Sequence, residues 1–263
     1  MMDDVPPASA SRPAVLPLLV IGAFTGFVSG LFGVGGGVVI VPALVTAFRM
    51  DQRRAAATSL IALLPISVAG TVTYAISGQV GWLAALLLAV GSVIGSPLGV
   101  RLLHRLPDRV VPWMFVGFVA IVIVSLLVSP SSRDGEIVLS WWSGLALVAI
   151  GFVAGILSGL VGVGGGVVAV PGLEVLVGAG DLLARGTSLA MMIPTTVVGI
   201  LSHRKHLDVD LRSGLVLGAA AVVVTPFGSW LAHLLDPRLG SILFAVFLVA
   251  VCVVVVARGR RRS

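Results

Sequence analysis

The 263 residues are 58% hydrophobic and only 11% charged, with a net charge of +6, a pI near 11.2 and a mean hydropathy of +1.15. A soluble globule needs roughly a quarter of its residues charged to cover its surface, so most of this chain's surface faces something other than water and a soluble enzyme is excluded. The positive balance does not point to nucleic acid, because the basic residues sit in short loops and in the tail Arg258-Gly259-Arg260-Arg261-Arg262, where membrane proteins place cytoplasmic anchors.

In chain order, residues 1–13 are a short polar lead with Asp3 and Asp4, unlike the basic start of a cleaved signal peptide, and are expected to stay attached. The apolar run Ala14–Phe48 follows, interrupted by Gly33-Val34-Gly35-Gly36-Gly37. Beyond a basic loop come Ala55–Ser77, Val80–Val100 and Val110–Val128, the last free of charge from end to end. A polar, turn-forming linker (130–139) leads to Ser140–Val177, Leu189–Ser202, Ser213–Ala232 and Leu239–Ala257. Leu239–Ala257 carries a single Cys and no charge, and the basic tail 259–263 ends the chain. About 18 apolar residues cross a hydrocarbon core of roughly 30 Å. The lone Cys252 is a packing residue and supports neither a disulfide framework nor a thiolate metal site.

One internal repeat dominates. Gly26–Leu44 aligns with Gly155–Leu173 at an offset of 129, with 14 of 19 positions identical. The same ungapped register matches Thr58-Ser59-Leu60 to Thr187-Ser188-Leu189, Pro65 to Pro194, Gly70 to Gly199 and Pro97 to Pro226. The chain therefore divides into a membrane repeat at 14–129 and a second at 140–258.

The placement of Lys and Arg chooses between parallel and inverted copies. If each glycine-split run crosses once, the 17 basic residues divide 8 to 9 and no orientation is preferred. If each folds as a hairpin, only Arg133, Arg185 and Arg238 fall on one face and the other 14 share the opposite one, as the positive-inside rule requires. A continuous helix over the whole of Ala14–Phe48 would also be about 52 Å long, too long for one crossing. The expected fold is an all-α polytopic membrane protein of two inverted repeats, each a glycine-broken hairpin plus three transmembrane helices. That makes 8 to 10 membrane segments, with both termini cytoplasmic.

Inverted repeats built around broken helices are a recurrent transporter plan, with substrate held near the midplane where the breaks meet. The glycines Gly33, Gly35, Gly36, Gly37 and Gly162, Gly164, Gly165, Gly166 are the candidate substrate-binding residues. Glycine permits left-handed backbone and close approach of a ligand, and the helix that restarts there presents unpaired amides to an anion. A phosphate-binding loop would need a Lys that is absent, and a dinucleotide fingerprint would need a final Gly where Val38 or Ile40, and Val167 or Ala169, stand. Close helix packing through small residues competes with the binding role. Thr58, Ser59, Thr187 and Ser188 are added as candidate ligands, against the alternative that such hydroxyls bond to their own helix. Pro65, Pro194, Pro97 and Pro226 are candidate hinges.

All 11 acidic residues fall at or near loops or termini, so no buried carboxylate is expected. His104, His203, His206 and His233 lie near helix ends without metal-ligand spacing, and His203 and His206 read as interfacial. No nucleophile-and-base arrangement stands out, so neither a catalytic centre nor a metal or organic cofactor is expected. The partners expected are a small anionic substrate and the lipid bilayer; a homo-oligomer is left open. A channel or metal-cation permease of the same architecture, or a non-transporting assembly subunit, are the rival readings, and a cation path should carry acidic or His ligands at depth.

At the paired GLFGVGGGVVIVPAL and GLVGVGGGVVAVPGL, followed by ATSL and RGTSL, the chain resembles the TauE/SafE sulfite-exporter family over nearly its whole length. The resemblance implies a bacterial inner-membrane transporter of sulfite, sulfonates, thiosulfate or related organosulfur anions, without a soluble cofactor.

Overall fold

The computed structural model describes residues 15–106, 116–117, 119–120, 123–124, 133, 135–137, 140–204 and 210–259. The expected crossing Val110–Val128 lies largely outside these residues. Nine α-helices are present among them and no strand: α1 Val15–Phe32, α2 Gly37–Ala47, α3 Gln52–Ile76, α4 Trp82–Arg105, α5 Trp141–Val161, α6 Gly166–Gly172, α7 Asp181–Arg204, α8 Leu211–Leu234 and α9 Pro237–Gly259. A π-helical turn, Leu173–Val177, extends α6. Six of them, α1, α3, α4, α5, α7 and α8, are long and apolar enough to cross a membrane.

Several of the charges left over act as helix starts. Asp51 accepts from the Arg53 amide at the head of α3, and Asp210 accepts from the Ser213 amide at the head of α8. Apolar side chains cover much of the outside, among them Leu16, Ile76 and Phe227. Exposed Trp82, Trp141, Trp142 and Trp230 stand at the first turns of α4 and α5 and near the end of α8, where aromatic rings meet a bilayer interface.

Glycine seams fix the packing. A Cβ at Gly22, Gly26 or Gly30 of α1 would overlap the carbonyl oxygens of Leu217, Ala221 and Thr225 of α8. The equivalent positions of the second repeat make the same contact: Gly151, Gly155 and Gly159 of α5 lie against the carbonyls of Leu88, Ser92 and Ser96 of α4. Only a residue without a side chain lets the backbones come so close. The first helix of each repeat thus packs on a helix of the other repeat, which interlocks the halves.

The order of contacts also gives directions. Ascending contacts make α1 parallel to α8, and Gly214 against Ile61 with Gly218 against Pro65 make α3 parallel to α8 as well. In the same way α4 is parallel to α5 and, through Gly81 with Thr187 and Ser92 with Thr195, to α7. Between α3 and α7 the order reverses, Leu60 facing Gly199, Gly70 facing Leu189 and Tyr74 facing Gly186. Hence α1, α3 and α8 run one way and α4, α5 and α7 the other. Equivalent helices of the two repeats are antiparallel.

Because α1 and α3 run the same way, the arm between them returns. At 1.5 Å per residue the 11 residues of α2 rise only about 16 Å, about half the hydrocarbon thickness. The arm in the second repeat is comparable, 7 residues of α6 and 5 of the π turn. Each break therefore lies inside the protein, flanked by the central pair α3 and α7.

The seams predict that Gly26→Ala lowers stability by about 1–3 kcal/mol through overpacking. Gly144→Ala, where an added Cβ meets only Leu87 Cδ1 at 3.9 Å, should shift the thermal midpoint of the detergent-purified protein very little. Equal shifts would contradict the seam.

Candidate functional site

The two glycine breaks meet. A Cβ at Gly37 would lie 2.6 Å from the Val163 Cα, and one at the equivalent Gly166 would lie 2.7 Å from the Val34 Cα. Gly33, Gly35 and Gly36 have φ of 69°, 76° and 73°, and Gly162, Gly164 and Gly165 of 76°, 88° and 81°. Left-handed backbone at these positions is costly for any residue with a Cβ. Gly37 and Gly166 have ordinary helical starts and are required by the close approach instead.

Of the other sequence-predicted ligands, the two serines reach the crossing and the two threonines do not bond to it. Ser59 Oγ lies 2.6 Å from the Gly162 carbonyl oxygen and 2.8 Å from that of Ala56, so its one proton is shared between them. Ser188 Oγ makes the equivalent contacts, 2.5 Å to the Gly33 oxygen and 2.8 Å to that of Arg185. Thr187 Oγ1 accepts from the Gly81 amide at 2.9 Å, tying α7 to the start of α4. Thr58 Oγ1 is buried and makes no hydrogen bond. The two serines thus pin the broken segments to α3 and α7. Leu63 and Met192, themselves equivalent positions, both lie against Gly35 and Gly164 and close the crossing with apolar groups. All four candidate hinges lie inside helices, Pro65 in α3, Pro97 in α4, Pro194 in α7 and Pro226 in α8.

Helix ends inside the protein leave carbonyls without amide partners, and side chains answer them. At the end of α1 the Tyr74 hydroxyl donates to the Gly30 oxygen at 2.8 Å, and Arg185 Nη1 donates to the Leu31 oxygen at 2.9 Å. At the end of α5 the His203 Nε2 lies 3.2 Å from the Gly159 oxygen. Tyr74 and His203 occupy equivalent positions, and each ring faces a histidine ring of the neighbouring helix, His233 at 5.7 Å and His104 at 6.4 Å. His203 is therefore a buried structural group, where the sequence places it at an interface; His206 lies outside the described residues.

The halves differ in one respect that corrects the sequence reading. Asp181 and Arg185 are both buried, at 0% and 3% exposure, and form an ion pair at 3.2 Å within α7. Arg133 of the linker approaches the same carboxylate at 3.7 Å and donates to the carbonyl oxygens of Ala232, His233 and Leu235 at the end of α8. Arg185 is thus no loop cation, and a buried carboxylate exists. The sequence hid them because Asp181 sits at the first turn of a helix, beside a glycine-rich turn that reads as surface. The only sequence signal was the break in the repeat: the equivalent positions are Gln52 and Ala56. Among the described residues no group of three or more His, Cys, Asp or Glu could hold a metal ion.

An open crevice of about 730 Å³ between α3 and α8 is lined mainly by Ala69, Val72, Ile76, Val222, Pro226 and Trp230, with His233 at its polar edge. Its walls are mostly apolar, with Thr73 and Ser77 beside His233 as the polar groups.

Known proteins extend this picture. The chain matches the family described as Sulfite exporter TauE/SafE over residues 3–126 and 147–263, which takes in both repeats. It is 37% identical over 93 residues to Probable membrane transporter protein YunE of Bacillus subtilis, a match covering 35% of this chain and 34% of that protein. A Probable membrane transporter protein of Xylella fastidiosa (strain Temecula1) is 41% identical over 86 residues, 33% of each chain. The chain spans about a third of the length of these two relatives. A longer match, 26% identical over 245 residues, covers 88% of this chain and 91% of a Probable membrane transporter protein of Haemophilus influenzae. No solved structure matches. With six helices long and apolar enough to span a membrane and both repeats matched, the chain belongs to the sulfite exporter TauE/SafE family.

Proposed function

We propose that the protein is a secondary transporter that carries a small sulfur-containing oxyanion, sulfite or a sulfonate, across a bacterial inner membrane by alternating access, with both termini cytoplasmic. The observation that carries this reading is the crossing of the two glycine breaks between antiparallel halves. Non-helical backbone deep in a membrane protein is tolerated where it is buried or lines a substrate path, and broken helices of inverted repeats are where transporters hold their cargo. Backbone amides at Gly35, Gly36, Gly164 and Gly165 are the proposed donors to the oxyanion.

In the conformation described the crossing is packed shut by Leu63 and Met192, which suits an occluded state. Opening toward either face requires α3 and α7 to move relative to the breaks, and Pro65 and Pro194 weaken both helices at matched points, since each lacks the amide that its helix would use. The family description supports the sulfur oxyanion, and the split of basic residues supports the cytoplasmic termini.

Uptake of radiolabelled sulfite into proteoliposomes should saturate and be competed by thiosulfate or a sulfonate such as taurine. Uptake that rises linearly with concentration, or is absent, would contradict the reading. Bulky replacements at Gly36 or Gly165 are poor tests because both have left-handed backbone and an added Cβ would meet Thr25 or Ala154. Gentler probes are Ser59→Ala and Ser188→Ala. Each leaves a buried glycine carbonyl unpaired and should cost about 1–3 kcal/mol of stability while changing the transport rate. Ser77→Ala, at the exposed end of α3, should change neither.

A further inference from the structure

We propose that Arg185 is the cation that binds the transported anion, and that Asp181 is a resident carboxylate which the substrate displaces from it. This rests on the anion-transport reading above. A buried ion pair is costly to keep: desolvation takes several kcal/mol per ion, and charges within membrane segments are rare unless they serve function. Here the molecule contains its own control. The second repeat ends α5 in the same manner as the first ends α1, with a matched aromatic or imidazole donor and a matched serine, Tyr74 with Ser188 against His203 with Ser59. At the positions equivalent to Arg185 and Asp181 stand Ala56 and Gln52. A glycine-broken helix can therefore be closed inside this protein without a guanidinium, so the break does not explain the pair.

Placement and bonding point to a ligand. Among the described residues Asp181 and Arg185 are the only Asp, Glu, Lys or Arg that are fully buried. The Arg185 backbone lies against the first break, where a Cβ at Gly33 would sit 2.5 Å from the Arg185 Cα and Ser188, one turn on, holds the Gly33 carbonyl, while its guanidinium reaches back beside Leu31 and Gly240. Its guanidinium is committed at Nη1 to the Leu31 oxygen, while Nη2 meets Asp181 by charge alone. Neither Asp181 oxygen accepts a hydrogen bond, although both are buried. A carboxylate held only by ion pairs at 3.2 and 3.7 Å is weakly fastened, because charge-assisted hydrogen bonds are the strong part of such pairs. With Arg133 the cluster has two guanidinium groups against one carboxylate, an excess that a monoanion neutralises. The planar fork of an arginine matches two oxygens of a sulfite or sulfonate.

The test compares wild type with Arg185→Lys, Asp181→Asn and the double variant Asp181→Asn with Arg185→Gln, which replaces the charged pair by neutral amides. Thermal stabilisation of each purified protein is measured against sulfite, thiosulfate, taurine, phosphate, nitrate and chloride, alongside sulfite uptake in proteoliposomes. The double variant should melt modestly below the wild type, since the buried pair is neutralised as a unit while the Leu31 oxygen loses its donor, yet lose tenfold or more in anion affinity. Arg185→Lys should raise the half-saturation concentration severalfold, and Asp181→Asn should lower it by removing the competitor. If the double variant binds anions with wild-type affinity, or if no anion stabilises the wild type, Arg185 is only a helix cap and the inference is overturned. If phosphate or nitrate alone stabilises the wild type, and does so through Arg185, the inference stands while the sulfur-oxyanion reading fails.

Discussion

Backbone satisfaction is the constraint on which the rest of the structure depends. In hydrocarbon every carbonyl and amide must find its partner within the protein, yet α1 and α5 both stop inside the membrane region, at Phe32 and Val161. Each stop leaves carbonyls that the following residues, turned into left-handed backbone, cannot answer. Tyr74, Arg185 and Ser188 answer them at one end, and His203 and Ser59 at the other. All five come from α3 or α7. The two most buried of the long helices are thereby committed to holding the breaks in place, and the breaks to lying between them.

Close backbone packing supplies the second requirement. Lipid offers no hydrophobic gain for bringing helices together, so association depends on contact. The glycine seams give that contact, and they join α1 to α8 and α5 to α4 across the repeat boundary. Neither repeat keeps its own first helix as its main neighbour. A movement that exposes the crossing to one side must carry a helix from each half, which is the coupling that the proposed alternating-access cycle needs.

The duplication, the helix breaks and the serines were legible in the sequence because each is a local pattern that repeats at one fixed offset. Ser59 and Ser188 stood out from their register, and the structure brings both to the crossing, where they bond to backbone. Their partners were not legible, since a hydroxyl in an apolar run gives no sign of what it meets. Asp181, Arg185 and His203 were misplaced for a common reason. Polar residues near a helix end look solvent-facing in a linear reading, but these ends face the interior. The absence of Arg and Asp at positions 56 and 52 was the one available clue.

The two halves are opposed in direction around a returning hairpin, and everything proposed for the crossing depends on that. Thiol labelling of intact and permeabilised cells tests it most directly, in a Cys252→Ser background with single cysteines at the exposed positions Asp51, Ser77 and Asp236. A returning hairpin places Ser77 and Asp236 on one face and Asp51 on the other. A hairpin that crossed instead would put Asp51 with Asp236 and leave Ser77 alone on the opposite side, and that result would contradict the inverted arrangement.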